Sequence, residues 1–401
     1  MQKVWLLIVM ALVAIIAGCA TLPTRCTAPE DNPRHHYLRG MEALEKNKVD
    51  QALEKFERAV YCEDKFSAAH SGRAVAYAVK ARAQADAGFK GVEVERALES
   101  LEKGRKLSGS DNDRFEYQVA TIRVNNLIKG SKWLDNSEDA YREAMNQKVD
   151  ERLLDYYQGK EAATYFIGLA YLEGYEFRKA EDRFREVLGT RKEGKWNEPA
   201  DQAWKKTAKI VRAMGGITVG DIGRRIAVKE NVSRGALAAL LIDELKLDKL
   251  FAGRIPIRSK IDKMQAEFTP ADVVTHPFRD EVQTIMKWKV RGLEPKFDDN
   301  TRAYLFNINE NVTRGEMAFI LEDVLIKLTG DEKLATAFFG QDRSPFPDIK
   351  PTSPFYNAVL NMTTRGIMEG ELSGEFRLSD PVDGAEALLA MRMLQQKINI
   401  H

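Results

Sequence analysis

One helix start is written three times in the last half of the chain, and that repetition constrains the fold more than any other feature. The stretch "NVSRGALAALLIDEL" begins at Asn231, "NVTRGEMAFILEDVL" at Asn311 and "PVDGAEALLAMRML" at Pro381. In the second, Thr313 stands three residues before Glu316, the spacing of a capping box in which each side chain bonds the other residue's backbone N–H. Val312 before the cap and Met317 at the fourth helical position fit a hydrophobic staple. The third stretch repeats the logic with Asp383 as cap, Glu386 as its box partner and Val382 in the staple position. The first keeps Ser233 as cap but carries Ala236 where the box would place Glu, so its start is predicted to be the weakest.

A second repetition runs from Pro33 to about Met214, where the chain reads as helix throughout. Gly40, Ala52, Phe56 and Ala59 stand at offsets 0, 12, 16 and 19, and Gly168, Ala180, Phe184 and Val187 stand at the same offsets. Weaker copies place Ala97, Leu101 and Gly104 in one unit and Ser137, Tyr141 and Ala144 in another. The pattern resembles the tetratricopeptide repeat, a helix-turn-helix unit with small residues where paired helices touch and an aromatic that packs into the next unit. The resemblance implies an α-helical solenoid whose concave face receives a peptide or protein, with no catalysis. A plain helical bundle is the competing reading. The segment "NEPADQAWKKTAKIVRAM" would be the closing helix, with Trp204 and Ile210 on its apolar side.

Gly215 and Gly216 end that helix, as a left-handed cap suits glycine. They are not a phosphate loop, because the stretch is neither GxGxxG nor a Walker sequence and no buried strand precedes it. Beyond them, "FTPADVVTHPFRDEVQTIMKWKVRGLEP" and "FPDIKPTSPFYNAVLNMTTRGIMEG" both run from Phe and Asp through Pro-Phe into an amphipathic segment that ends in Arg-Gly and an apolar residue. Together with the capped helices this resembles the S-layer homology motif. The match is strong in the last two copies and partial in the first, which lacks its own Phe-Asp segment. The resemblance implies a mostly helical, pseudo-threefold domain with grooves between copies that bind cell-wall glycopolymers. The whole chain is therefore expected to be mainly α: leader 1–18, linker 19–32, tetratricopeptide-like domain 33–214, and S-layer-homology-like domain 215–401.

Arg234 and Arg314 follow the caps, where a cation meets the positive end of the helix dipole and is mildly unfavourable. A residue set against local electrostatics suggests another use. The resemblance implies that both grip an acidic group of the wall polymer beside free helix N–H groups. A bridge to the neighbouring copy is the competing reading, and Gly384 takes the equivalent place in the third copy. Trp288, near Arg291 and Gly292, is a candidate to stack on a sugar face, against the alternative of a core aromatic.

The N-terminus reads "MQKVWLLIVMALVAIIAGC", with an apolar run from Val4 to Ala17 that falls short of the roughly 20 residues of a spanning helix. Small residues follow, as in a secretory signal. Ile16-Ala17-Gly18-Cys19 resembles the lipobox of bacterial lipoproteins, which implies acylation of Cys19, and Ala20 after it favours the outer membrane. The formal net charge is +1, and removing the leader takes away only Lys3, so nothing marks a polyanion-binding chain and no nucleic acid is expected. Cys26 and Cys62 remain, free to pair under oxidising conditions or to stay as two inert thiols. His35 and His36 are adjacent and point apart on a helix, so they are poor joint ligands. No metal, cofactor or catalytic constellation is expected, and the leading reading is non-catalytic. That reading is a lipid-anchored protein of the outer membrane, facing the periplasm, that ties it to peptidoglycan or a wall glycopolymer and carries a protein partner on its repeats. The alternative is an envelope assembly or secretion accessory whose C-terminal domain is a protein interface.

Overall fold

The computed structural model describes residues 26, 28–190, 193–215, 218–254, 266 and 268–398. The apolar run 4–17 and Cys19 lie outside the described residues. No helix among the described residues is long and apolar enough to cross a membrane. The chain is mainly helical and divides into two compact units, the first ending at Ile167 and the second beginning at Gly168.

The first unit contains α1 (Pro33–Glu45), α2 (Val49–Cys62), α3 (Ser67–Ala83), α4 (Ala87–Leu107), α5 (Asp111–Ile128) and α6 (Trp133–Asn146), and the start of α7 (Glu161–Glu173). The helix starts are local in origin. Asn32 caps α1 by accepting from His35 N at 2.9 Å, with Pro33 at the first helical position. Ser110 and Asp113 close a capping box on α5. Helices α1 to α6 pack on one another in chain order, and α3 also packs on α5, so the succession is solenoid-like. Small residues set the spacing. The Phe56 ring lies between Gly40 and Gly72, and a Cβ at either glycine would stand 2.5 Å from the ring, so neither position accepts a side chain. A disulfide joins Cys26 to Cys62 and ties the segment before α1 to the end of α2.

The second unit opens with the same device, since a Cβ on Gly168 would meet the Phe184 ring at 2.7 Å. Helix α8 (Phe177–Thr190) packs on α9 (Asn197–Ala213), and α9 packs on the last helix of the chain, α16 (Gly384–Lys397). Between them come α10 (Asp221–Ala227), α11 (Arg234–Asp243), α12 (Leu247–Arg254), α13 (Arg279–Lys287), a two-stranded antiparallel hairpin of β1 (Lys296–Asp298) and β2 (Ala303–Leu305), α14 (Arg314–Thr329) and α15 (Tyr356–Thr364).

The three repeated helix starts meet in a closed ring. Val232 N donates to Val382 O, Val382 N to Val312 O, and Val312 N to Val232 O, each at 2.9 Å. Every valine of the ring is buried. Next to it, Arg234 N donates to Glu310 O, Arg314 N to Asp380 O and Gly384 N to Lys229 O. Each copy thus satisfies backbone groups of the next, and a buried N–H or C=O without a partner is strongly disfavoured. The threefold arrangement stops being equal at Gly384. A Cβ there would lie 1.8 Å from Ile226 O at the end of α10, which excludes any side chain, arginine included.

Candidate functional site: the joints between copies and the groove beside Arg314

Capping positions the residues of the joints. Thr313 Oγ1 accepts from Glu316 N at 3.2 Å while a Glu316 carboxylate oxygen accepts from Thr313 N at 2.9 Å. Ser233 Oγ accepts from Ala236 N at 3.2 Å, with no reciprocal acid. Asp383 accepts from Glu386 N at 2.7 Å, but the Glu386 carboxylate does not return to the cap. It pairs instead with the Arg314 guanidinium, which corrects its expected role as a box partner. The physical reason is the stronger partner, since a charge-assisted hydrogen bond to a guanidinium outweighs one to a neutral N–H.

Both arginines point into the protein. Arg234 is 4% exposed and donates to three carbonyls, Phe306 O at 2.8 Å, Gly292 O at 2.9 Å and Glu294 O at 3.0 Å. Arg314 is 1% exposed and donates to Phe376 O and Glu369 O, each at 2.7 Å, besides Glu386. Each guanidinium also lies over the ring of the phenylalanine whose carbonyl it holds, Phe306 at 5.0 Å and Phe376 at 4.7 Å. Burial pushes the Arg234 guanidinium down from its ordinary value, against distant carboxylates that include Glu310 and Glu316. Nor are the nearby helix N–H groups free. Those of Arg234 and Gly235 donate to Glu310 O and Ile308 O, and those of Arg314 and Gly315 to Asp380 O and Leu378 O. The anion-gripping geometry expected from the sequence is therefore replaced by a staple that binds the first copy's helix to the second copy's loop and the second copy's helix to the third copy's loop. The planar fork of arginine suits several carbonyls at once, which lysine could not match.

An aspartate completes each joint. Asp272 accepts from Phe306 N at 2.9 Å and Ile308 N at 3.0 Å, and Asp348 accepts from Phe376 N at 2.9 Å and Arg377 N at 2.7 Å. Against burial, which pushes it up, the backbone donors of Phe376, Leu378 and Arg377 hold the Asp348 carboxyl below its ordinary value. These are the aspartates of the repeated Phe-Asp segments.

Trp288 is also interior, which corrects its expected sugar-stacking role. It is 3% exposed, its Nε1 donates to Asp248 Oδ1 at 2.8 Å, and its ring stands edge-on to Phe251 with centroids 5.4 Å apart. Ile285 and Val282, about one and two turns earlier on α13, are buried too, so the tryptophan continues the apolar face of that helix.

The opening in this region is a groove of about 220 Å³ beside Arg314 and Glu386, bordered by Met368, Glu369, Leu389 and Met393. Its outer wall comes from α9, where Arg212 pairs with Glu369 at 3.0 Å and Lys209 stands 3.7 Å from Asp383. Glu386 Oε2 is buried there without a hydrogen-bond partner, and burial pushes this carboxyl above its ordinary value despite Arg314. Sequence reasoning missed Lys209 and Arg212. Nothing in the spacing of α9 marks them, because tertiary packing against α16 brings them to the groove.

Residues 345–388, which carry the second Phe-Asp segment, the clamped loop and the start of α16, match the family model described as the S-layer homology domain. This segment is an S-layer homology domain. Such domains are non-catalytic modules of the cell envelope that bind wall polymers. The S-layer homology segment includes the loop that Arg314 holds and three of the acids at the groove, Glu369, Glu371 and Glu386. No curated protein and no solved structure matches the chain.

Two other clusters lie outside the S-layer homology segment. Cys26, Asp31 and Cys62 come together, but both sulfurs belong to the disulfide. In the first unit, burial pushes the Glu116 carboxyl up to about 8, with Asp155 and Asp113 adding to the effect and a Tyr37 hydrogen bond and Arg34 opposing it.

Proposed function

We propose that the chain is a non-catalytic, lipid-anchored protein of the cell envelope that holds a wall glycopolymer in the groove between its second and third copies. The observation that carries this reading is the S-layer homology match over residues 345–388, which contain most of that groove. Arg314 contributes as the groove's floor and as the staple of its loop, and its hydrogen-bonding groups are committed to the protein. Domain order supports a tether, with the lipobox-like Cys19 at one end and the wall-binding domain at the other. Acylated on Cys19, the protein would sit on the periplasmic face of the outer membrane, since two or more acyl chains anchor stably.

The tetratricopeptide-like repeats of 33–214 are the part proposed to carry a protein partner. In the first unit a cleft of about 530 Å³ is bordered by Arg105, Arg114, Tyr117, Gln118, Asp139 and Glu143, a polar surface with an aromatic of the kind that recognises an extended peptide. The test has two arms. Metabolic labelling with a fatty-acid analogue should mark the wild type and not Cys19→Ser. The full chain should sediment with purified peptidoglycan sacculi that retain their glycopolymer. Labelled protein that stays in the supernatant would overturn the wall-binding reading and leave the accessory-lipoprotein alternative.

A further inference from the structure

The groove beside Arg314 does not end at the S-layer homology segment. It continues into a second, open lobe of about 710 Å³ whose lining shares Lys209, Arg212, Glu371 and Leu372 with the first. Helix α9, which precedes all three copies, forms one side of this lobe and contributes Trp204, Lys205 and Ala208 to its lining. The loop held by Arg314 forms the other side, with Leu372 fully exposed and Arg377 beyond it.

We infer that this outer lobe is a second saccharide site, in which a neutral sugar ring stacks on Trp204 and the rim of Lys209, Arg212, Glu371 and Arg377 bonds its hydroxyls. The inference rests on the wall-binding reading above and adds a part of the chain that lies outside the S-layer homology copies. Three observations carry it. Trp204 is half-buried and lines the lobe, and a tryptophan placed so offers a large apolar surface beside a wet rim. Every cation of the lining is paired with a carboxylate, Lys205 with Asp201 at 2.7 Å, Lys209 with Asp383 at 3.7 Å, Arg212 with Glu369 at 3.0 Å and Arg377 with Glu371 at 2.8 Å, so no unpaired charge is offered to select an ion. What such a rim offers instead is donors beside acceptors, which is what a hydroxyl uses, since it both donates and accepts. Finally, two residues of the lining each bury a polar atom without a partner, Trp204 its Nε1 and Glu386 its Oε2. An unpaired buried polar group is costly, and a small shift of either side chain toward a ligand hydroxyl would recover part of that cost. Because the lobes are continuous, one polymer chain can lie in both.

The test uses the full chain, sacculi that retain their glycopolymer, and the same sacculi after chemical removal of the polymer. Trp204→Ala and the double variant Lys209→Ala/Arg212→Ala should each weaken sedimentation with polymer-bearing sacculi about fivefold to tenfold, the range of one aromatic contact. Trp204→Phe keeps an aromatic face and should lose less than either. Should Trp204→Ala fail to fold, the surface double variant and a second measurement still decide. Solubilised polymer fragments should shift the tryptophan emission of the wild type, and Trp204→Phe should abolish that shift although Trp133, Trp196 and Trp288 remain. Wild-type binding that neither Trp204→Phe nor the lysine-arginine variant alters, in emission or in sedimentation, would overturn the outer site and leave the wall-binding reading standing. Equal binding to stripped sacculi would overturn the saccharide as occupant. A wild type that binds neither preparation would remove the wall-binding reading, and the outer site with it.

Discussion

Replacing Arg314 by methionine tests the central physical claim about the joints, because two lines of reasoning predict opposite signs. If the residue were only a cation at a helix N-terminus, removing it would relieve a dipole contact and stabilise the fold by a few tenths to about 1 kcal/mol. In the structure the guanidinium is buried and holds Phe376 O, Glu369 O and the Glu386 carboxylate. Methionine fills similar space but leaves two carbonyls and a buried carboxylate without partners. Removing one member of a buried ion pair costs about 3–5 kcal/mol, mostly through the charge left behind. For a unit of this size each kcal/mol lowers the midpoint by about 2–4 °C, so calorimetry on the full chain should show the C-terminal transition lowered by roughly 6–20 °C. Adding Glu386→Gln removes the stranded charge and should recover more than about 1 kcal/mol, a coupling expected of groups in direct contact. Arg234→Met strands three carbonyls and no paired acid, so its loss should be smaller, about 2 kcal/mol, and indifferent to Glu386. A midpoint for Arg314→Met at or above that of the wild type, or no recovery in the double variant, would refute the staple.

Other consequences follow from single observations. Gly384→Ala drives a Cβ against Ile226 O and should cost about 3 kcal/mol by the same calorimetry, because the obstacle is backbone and cannot rotate away. The Cys26–Cys62 bridge has a sequence separation of 36, which corresponds to about 4 kcal/mol of loop-closure entropy, so Cys26→Ser should lower the denaturant midpoint of the first unit and make it insensitive to reductant. Glu116, pushed up to about 8, keeps in the folded state a proton that the unfolded chain releases near pH 4, so this group stabilises the fold at low pH and loses its contribution as pH rises through about 8. Denaturant titrations of the first unit should weaken over that range by on the order of 5 kcal/mol, and Glu116→Gln should flatten the slope. A wild-type curve that is already flat would place Glu116 in contact with water.

What the sequence determined by itself is local. Thr313 and Glu316 stand three residues apart, and a capping box needs nothing but that spacing, so the start of α14 is legible in seven letters. The spacing of Gly40 and Phe56 is equally readable, because a helix pair needs a small residue wherever a ring crosses its backbone. Tertiary structure alone decided what those helices do with their exposed groups. The backbone of Val312, a residue readable as half of a staple within its own helix, also donates to Val232 O and accepts from Val382 N, two residues 80 and 70 positions away. Arg234 and Arg314 carry identical local signals for an interior staple and for a ligand grip, and only the position of the next copy's carbonyls separates the two. The same holds for the tryptophans. Trp288 and Trp204 both lie on amphipathic helices, yet α12 covers the first through Phe251 and Asp248, while the second borders an open groove that exists only because α9 packs on α16. Capping acts over one helical turn and is written in adjacent residues. Burial is set by whatever folds back from elsewhere in the chain, and no spacing records it.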